Sequence, residues 1–190
     1  MATIWNDNKL GFSRKSLNKN ISTDVLIIGG GITGILTAYK LKKQNVNYVL
    51  LEGDKILDGN TGNTTAKITV GHGFIYHQLI NKFDRTFAKK YYYANKGALE
   101  QYKSLSKIHK CDFQLKDLYV YSLDDENILS QEYKALRYLD INADLCQTEE
   151  LPFITKGAIR YKDQGQFNPY MFLKSISKEL NIYEHSFVYK

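Results

Sequence analysis

Residues Gly29 to Gly34 read G-G-G-I-T-G, the spacing G-x-G-x-x-G that can cradle the pyrophosphate of a dinucleotide. Each glycine would have its own task. Gly29 permits a tight turn out of a strand, Gly31 lets backbone approach the phosphates where any side chain would collide, and Gly34 lets the following helix pack closely on that strand. The start of that helix, at Ile32 and Thr33, offers N–H groups and a partial positive charge to anionic oxygens. Glu52 stands 18 positions beyond Gly34. A carboxylate there accepts hydrogen bonds from ribose hydroxyls and disfavours a 2′-phosphate, so NADP is a poor fit. NAD and FAD share this constellation. The stretch that follows Glu52 contains GNTGNTTAK, small, polar and backbone-exposing, where an NAD domain would go promptly into another helix and strand. Such a loop can wrap the phosphates and flavin end of an extended FAD.

Other chemistries find little support. Cys111 and Cys146 form no CxxC, and His72, His77, His109 and His185 form neither HxxxH nor HExxH, so no metal site and no disulfide framework is expected. The formal net charge of +6 comes from dispersed lysines, which read as a solvated surface rather than a nucleic-acid stripe. Tyr91, Tyr92 and Tyr93 adjoin Lys89 and Lys90, but on a helix consecutive side chains diverge, which suits packing better than base stacking. No run approaches the roughly 18 apolar residues of a membrane span, and the first residues lack the apolar core of a secretory signal, so the cytoplasm is the expected location.

The elements that must position the loop follow from hydrophobic pattern. Val25 to Ile28 is an apolar, β-branched run bounded by glycine, the mark of a buried parallel strand. Residues 31–44 have apolar positions at helical spacing, and Tyr48 to Leu51 is a second buried strand ending at Glu52. Together they make a β-α-β unit of about 30 residues. Asp54 to Gly73 reads as loop, 74–83 and 84–110 as helices, 112–125 as one or two strands, and 126–141 as helix. Residues 156–169 read as a short strand and turn, 169–180 as helix, and Tyr183 to Val188 as a final strand. Residues 1–23 form a polar extension laid on the body of the protein, with Trp5 its one large apolar anchor.

Five stretches carry a family resemblance: DVLIIGGGITGILTAYKL, LLEGDKILDGNTGNTTAKIT, HGFIYHQLI, YYYANKGALE and GQFNPYMFLK. The chain resembles the FAD-dependent oxidoreductases of the D-amino-acid oxidase and glycine oxidase type, and in particular the bacterial branch with a Rieske [2Fe–2S] domain after the flavoprotein part. The resemblance implies noncovalent FAD, since Ala66 stands where some relatives carry a histidine attached to the flavin. It implies backbone of Ile32 and Thr33 at the pyrophosphate, Glu52 and Gly53 at the adenosine ribose, and Thr61 and Gly62 on the phosphate side of the loop. It places Ala66, Lys67 and Ile68 along the flavin and Val188 at the adenine. Lys67 either stabilises negative charge on a reduced flavin or is solvated or phosphate-paired. His72 is read as a cap on the helix of 74–83, with an approach to the flavin as the other option. The family's QFHP reads QFNP here, with Asn168 in place of histidine.

The resemblance also implies an α/β fold in which a Rossmann-like FAD-binding unit is interrupted by an inserted α+β segment. The expected division is an extension at 1–23, the βαβ unit and flavin loop at 24–80, the inserted segment at 81–164, and a return helix and strand at 165–190. Family members are longer, so the chain is expected to be the N-terminal portion of such an enzyme. A second chain would supply the missing half or a Rieske domain. Hydride transfer from a small substrate such as an amine to the flavin is the implied reaction, with no catalytic residue assignable. A noncatalytic remnant, or a module binding a nucleotide or partner without turnover, is the competing reading.

Overall fold

A computed structural model describes residues 13–59, 61, 64–148 and 151–189. Trp5 and Gly62 lie outside the described residues. In chain order the elements are β1 (Val25–Ile28), α1 (Ile32–Lys43), β2 (Tyr48–Leu51), β3 (Lys67–Ile68), α2 (Ile75–Lys82), α3 (Arg85–Ser106), β4 (Gln114–Ser122), α4 (Glu126–Tyr138), β5 (Asp144–Cys146), β6 (Gly157–Gln166), α5 (Pro169–Ser177) and β7 (Ile182–Tyr183). They divide into two compact units. The first comprises Met1–Ala66, Ser106–Asp112 and Phe167–Lys190, and the second Lys67–Leu105 and Phe113–Gln166. The first division therefore falls after Ala66, earlier than the boundary at 80 read from sequence.

The first unit is built on a parallel sheet in the order β1-β2-β7. Val25 pairs with Tyr48 and Ile28 with Leu51, while Leu50 and Leu51 pair with Ile182 and Tyr183. Helix α1 buries Ile35 and Ala38 and packs on β1, β2 and α5. Lys40, Lys42 and Lys43 fill its last turn, at the negative end of the helix dipole, while the first turn holds no acid and leaves the positive end uncompensated. The segment before β1 is tied to the end of the chain. Arg14 donates its backbone N–H to Glu184 Oε2 at 2.8 Å and its guanidinium to the carbonyls of Leu180, at 3.1 Å, and Ser177. The other oxygen of buried Glu184 accepts the N–H of Ile56 at 3.0 Å. The strand expected over Tyr183 to Val188 is only Ile182–Tyr183. Beyond it, His185 and Ser186 donate to the carbonyls of Asp54 and Glu52, so the chain follows the loop after β2 instead of extending the ladder.

In the second unit β6 lies between β4 on one side and β3 and β5 on the other, all antiparallel to it. Three expectations change here. The run after Gly157 is a ten-residue strand, not a short one. Its alternation is masked by Arg160 and Lys162, whose charges are met by Asp144 at 2.7 and 3.2 Å. The stretch from Asp54 to Gly73 contains the two-residue strand β3, and β5 forms where the hydrophobic pattern marks no strand. Helices α2 and α4 close one face over a core that includes Val70, Tyr76, Leu136, Ile159 and Tyr161. Of the adjacent tyrosines on α3, Tyr91 and Tyr92 stand edge-on to Tyr76 at 6.0 and 6.3 Å, while Tyr93 is exposed.

The start of α2 has no local side-chain cap and no acid in its first turn. Glu132 of α4 takes that role from across the core, its two oxygens accepting the N–H groups of Tyr76 at 2.9 Å and His77 at 2.7 Å. The carboxylate is fully buried, and burial raises its pKa against the opposing pull of those bonds. His72 does not cap the helix as expected. Its Nδ1 lies 2.7 Å from the Tyr91 hydroxyl, and the cap position belongs to Phe74.

Candidate functional site

The three triad glycines are not equivalent. Gly29 has φ +103°, a left-handed turn out of β1 that only glycine enters without strain. A Cβ on Gly34 would lie 2.0 Å from the Gly29 carbonyl oxygen, so helix and strand meet there backbone to backbone. Gly31 is different. Its φ of −76° suits any residue, and among the described residues a Cβ would meet Thr61 Oγ1 alone, at the contact distance of 3.4 Å. The first helical bond runs from Ile35 N to Gly31 O at 3.0 Å, so the N–H groups of Ile32, Thr33 and Gly34 precede the internal ladder of α1. That of Ile32 donates to Thr61 Oγ1 at 3.1 Å.

Sequence reasoning passed over Gly30, which the fold also requires. A Cβ there would lie 2.5 Å from Ile56 Cγ2 and 3.2 Å from the Glu52 carboxylate. Glu52 itself organises the loop. Its Oε2 accepts the N–H of Gly30 at 2.6 Å and its Oε1 accepts that of Asp54 at 2.9 Å. Spacing alone suggests a ribose ligand, and the closeness of Gly30 to the end of β2 adds this second task. Gly53 lies under the ring of Phe187, 2.9 Å from a built Cβ, and that ring is largely exposed. Val188 follows it, partly buried and outside any strand.

Ala66 ends the first of the three segments of the first unit with φ +60°, a conformation an alanine holds only when its surroundings enforce it. Its carbonyl accepts the N–H of Phe167 at 3.3 Å, and its own N–H donates to Thr64 Oγ1 at 3.3 Å. Lys67 and Ile68 fall in the second unit as β3, paired with Gln166 and Gly165. Lys67 there borders a groove of about 460 Å³ on the sheet face, with Thr69, Lys116, Tyr119 and Tyr121 among its walls.

Asn168, the departure from QFHP, caps α5. Its Oδ1 accepts the N–H of Met171 at 3.0 Å, Pro169 fills the first helical position, and its own N–H donates to Cys111 O at 2.7 Å. Asn168→Ala should lower stability by about 1 kcal/mol and Asn168→Asp by less, since aspartate caps as well as asparagine. Equilibrium urea unfolding would read this, and an alanine variant as stable as the parent would remove the cap as the reason for this residue.

Comparison with known proteins gives concordant results. Residues 24–186 match the family described as DAO, FAD dependent oxidoreductase. The Bacillus subtilis (strain 168) protein YhfW, named as a Rieske 2Fe-2S iron-sulfur protein, is 35% identical over 182 residues, covering 94% of this chain and 36% of YhfW. L-proline dehydrogenase from P. horikoshii superposes with a TM-score of 0.67 at 17% identity, over 92% of this chain and 45% of that one. L-alpha-glycerophosphate oxidase from Mycoplasma pneumoniae, solved with FAD bound, gives a TM-score of 0.63 at 14% identity, over 88% and 45%. This chain thus spans less than half the length of each. The two solved relatives are named for chemically different substrates, an amino acid and a glycerol phosphate. No helix among the described residues is long and apolar enough to cross a membrane.

Proposed function

Since the chain belongs to the FAD dependent oxidoreductase (DAO) family, with FAD as its cofactor, we propose that it is the part of such an enzyme that grips the nucleotide end of noncovalent FAD. The observation that carries this reading is Gly31. Among the described residues the protein fills the spaces beside Gly30 and Gly34, while a Cβ on Gly31 would touch Thr61 Oγ1 alone, at the positive end of an acid-free helix start. A pyrophosphate fits such a place by size and charge. Ile32 and Thr33 would present N–H groups to it, with the Thr61 hydroxyl beside them and Gly62 next in the loop. Glu52, already held by Gly30 and Asp54, keeps lone pairs for ribose hydroxyls, with Gly53 beside it. The backbone of Val188 would serve the adenine. Ala66, Lys67 and Ile68 would follow the flavin, where Lys67 supplies positive charge near the isoalloxazine ring.

Bound FAD supplies a hydride acceptor for a carbon of a small, amine-type substrate. The chain's own residues hold and orient the cofactor, and no residue here is assigned to the substrate. The chain spans less than half of its relatives' length, and turnover is proposed to need the rest of the family fold, with a second chain or a Rieske domain as the proposed partner. The assembly is proposed to be cytoplasmic. The test is flavin absorbance per protein after purification, for the chain alone and for the chain co-expressed with the part of YhfW outside the matched region. Little flavin alone and near-equivalent flavin together is the expected result. A chain that carries a full equivalent of FAD and oxidises an amine unaided would overturn the need for completion. Absence of flavin from both samples would overturn the reading itself, and uptake without turnover would favour a binding module.

A further inference from the structure

A Cβ on Gly53 would lie 2.9 Å from Cδ2 of Phe187, so that ring fills the space a side chain beside Glu52 would need. The backbone that carries the ring is fixed. His185 and Ser186 donate their N–H groups to the carbonyls of Asp54 at 3.0 Å and Glu52 at 2.9 Å. The Ser186 hydroxyl donates to Glu184 O at 2.9 Å and accepts the N–H of Leu17 at 2.8 Å. Phe187 is thus held against the residue that follows the carboxylate. It is nonetheless 68% exposed, and Tyr189, whose ring centroid is 5.1 Å away, is 83% exposed. An aromatic surface held in place and left uncovered is preorganised for a flat partner.

We propose that Phe187 is the base-stacking residue of the nucleotide site, its exposed ring receiving the adenine of FAD with Tyr189 alongside. This rests on the reading of Glu52 as the ribose acceptor. The placement then follows from covalent structure. The base is joined to the same ribose whose hydroxyls meet Glu52, so it lies within one sugar's width of that carboxylate. The phosphates leave the ribose toward the start of α1, and Gly30, whose N–H Glu52 accepts at 2.6 Å, marks that side. The base takes the other side, where Gly53 and Phe187 stand. A phenyl ring offers an apolar face and no hydrogen bond, so it holds a base by stacking and does not read its edge. The edge falls to neighbouring backbone, and Val188 is next in the chain. All of these residues belong to the first unit.

The experiment is a titration of the isotope-labelled chain with ADP, followed by NMR. A parallel titration uses ribose 5-phosphate, which keeps the sugar and a phosphate but has no base. The expected result is movement of the Gly31, Ile32 and Glu52 amide signals with both probes. With ADP, nuclear Overhauser contacts should also join the adenine protons to the Phe187 ring. Phe187→Ala should weaken ADP by about tenfold, the scale of one lost base stack, and leave ribose 5-phosphate unchanged. Phe187→Tyr, with the same ring face, should match the parent for both probes. Equal ADP affinity in Phe187→Ala, or no contact between the adenine and this ring, would overturn the stacking role and leave the FAD reading standing. An equal loss of both probes in Phe187→Ala would also overturn it, since the ring would then act by holding Gly53 and Glu52. Amide signals at Gly31, Ile32 and Glu52 that ignore ADP would sink the FAD reading and this proposal together.

Discussion

Gly31→Val should fold and take up no FAD, in whichever assembly the parent chain takes it up. The backbone at Gly31 is one that any residue adopts, and the nearest atom to an added Cβ is a threonine hydroxyl at contact distance. Nothing among the described residues therefore demands glycine there, and the substitution should leave thermal stability close to the parent's. A bound pyrophosphate would occupy the same space as the new side chain. Gly34→Ala is the matched opposite. Its Cβ would lie 2.0 Å from a backbone carbonyl, which cannot swing aside as a side chain can, so α1 must lift from β1 and the first unit should lose its cooperative unfolding transition. Circular dichroism melts and flavin absorbance on the two variants separate the two roles. Full FAD occupancy in Gly31→Val would show that the phosphates pass elsewhere.

Glu132→Ala should cost the second unit about 3 kcal/mol or more, because it strands two N–H groups inside the core. It also leaves a void beside Tyr76 and Tyr161. Glu132→Gln keeps the volume but turns an amide donor toward one of the two N–H groups, so it should recover part of the loss. The pH dependence follows from the raised pKa. Burial lifts the folded value above the unfolded value of about 4.5, so over that window the folded chain binds more protons. The group's contribution to stability is complete below the unfolded value and declines as pH rises through the folded one. Urea unfolding at several pH values should show the parent gaining on Glu132→Gln as pH falls from neutral toward that value. A constant difference between the two would mean that Glu132 is not the buried, shifted group.

Local residue pattern is enough to specify the β-α-β unit, the glycine turn and the acid at the end of the second strand. These rest on contacts between near neighbours: β-branched runs favour strands, a 3.6-residue repeat favours a helix, and only glycine turns at Gly29. The family was legible too, because the loop after Glu52 is read from its own residues. Distant contacts decided the rest. Glu52 holds Gly30, and Gly30 must be bare because Ile56 sits on it, 26 positions away. The cap of α2 comes from Glu132 on another helix, so His72, beside that helix in sequence, was free to pair with Tyr91. Strand β6 hides behind charges that Asp144, on a separate strand, meets, and the final strand stops at Tyr183 because the next N–H groups find partners at Glu52 and Asp54. A pattern of residues records which side chains prefer which backbone. It does not record which acceptor, many residues away, lies nearest once the chain has packed, and buried polar groups are settled by that acceptor.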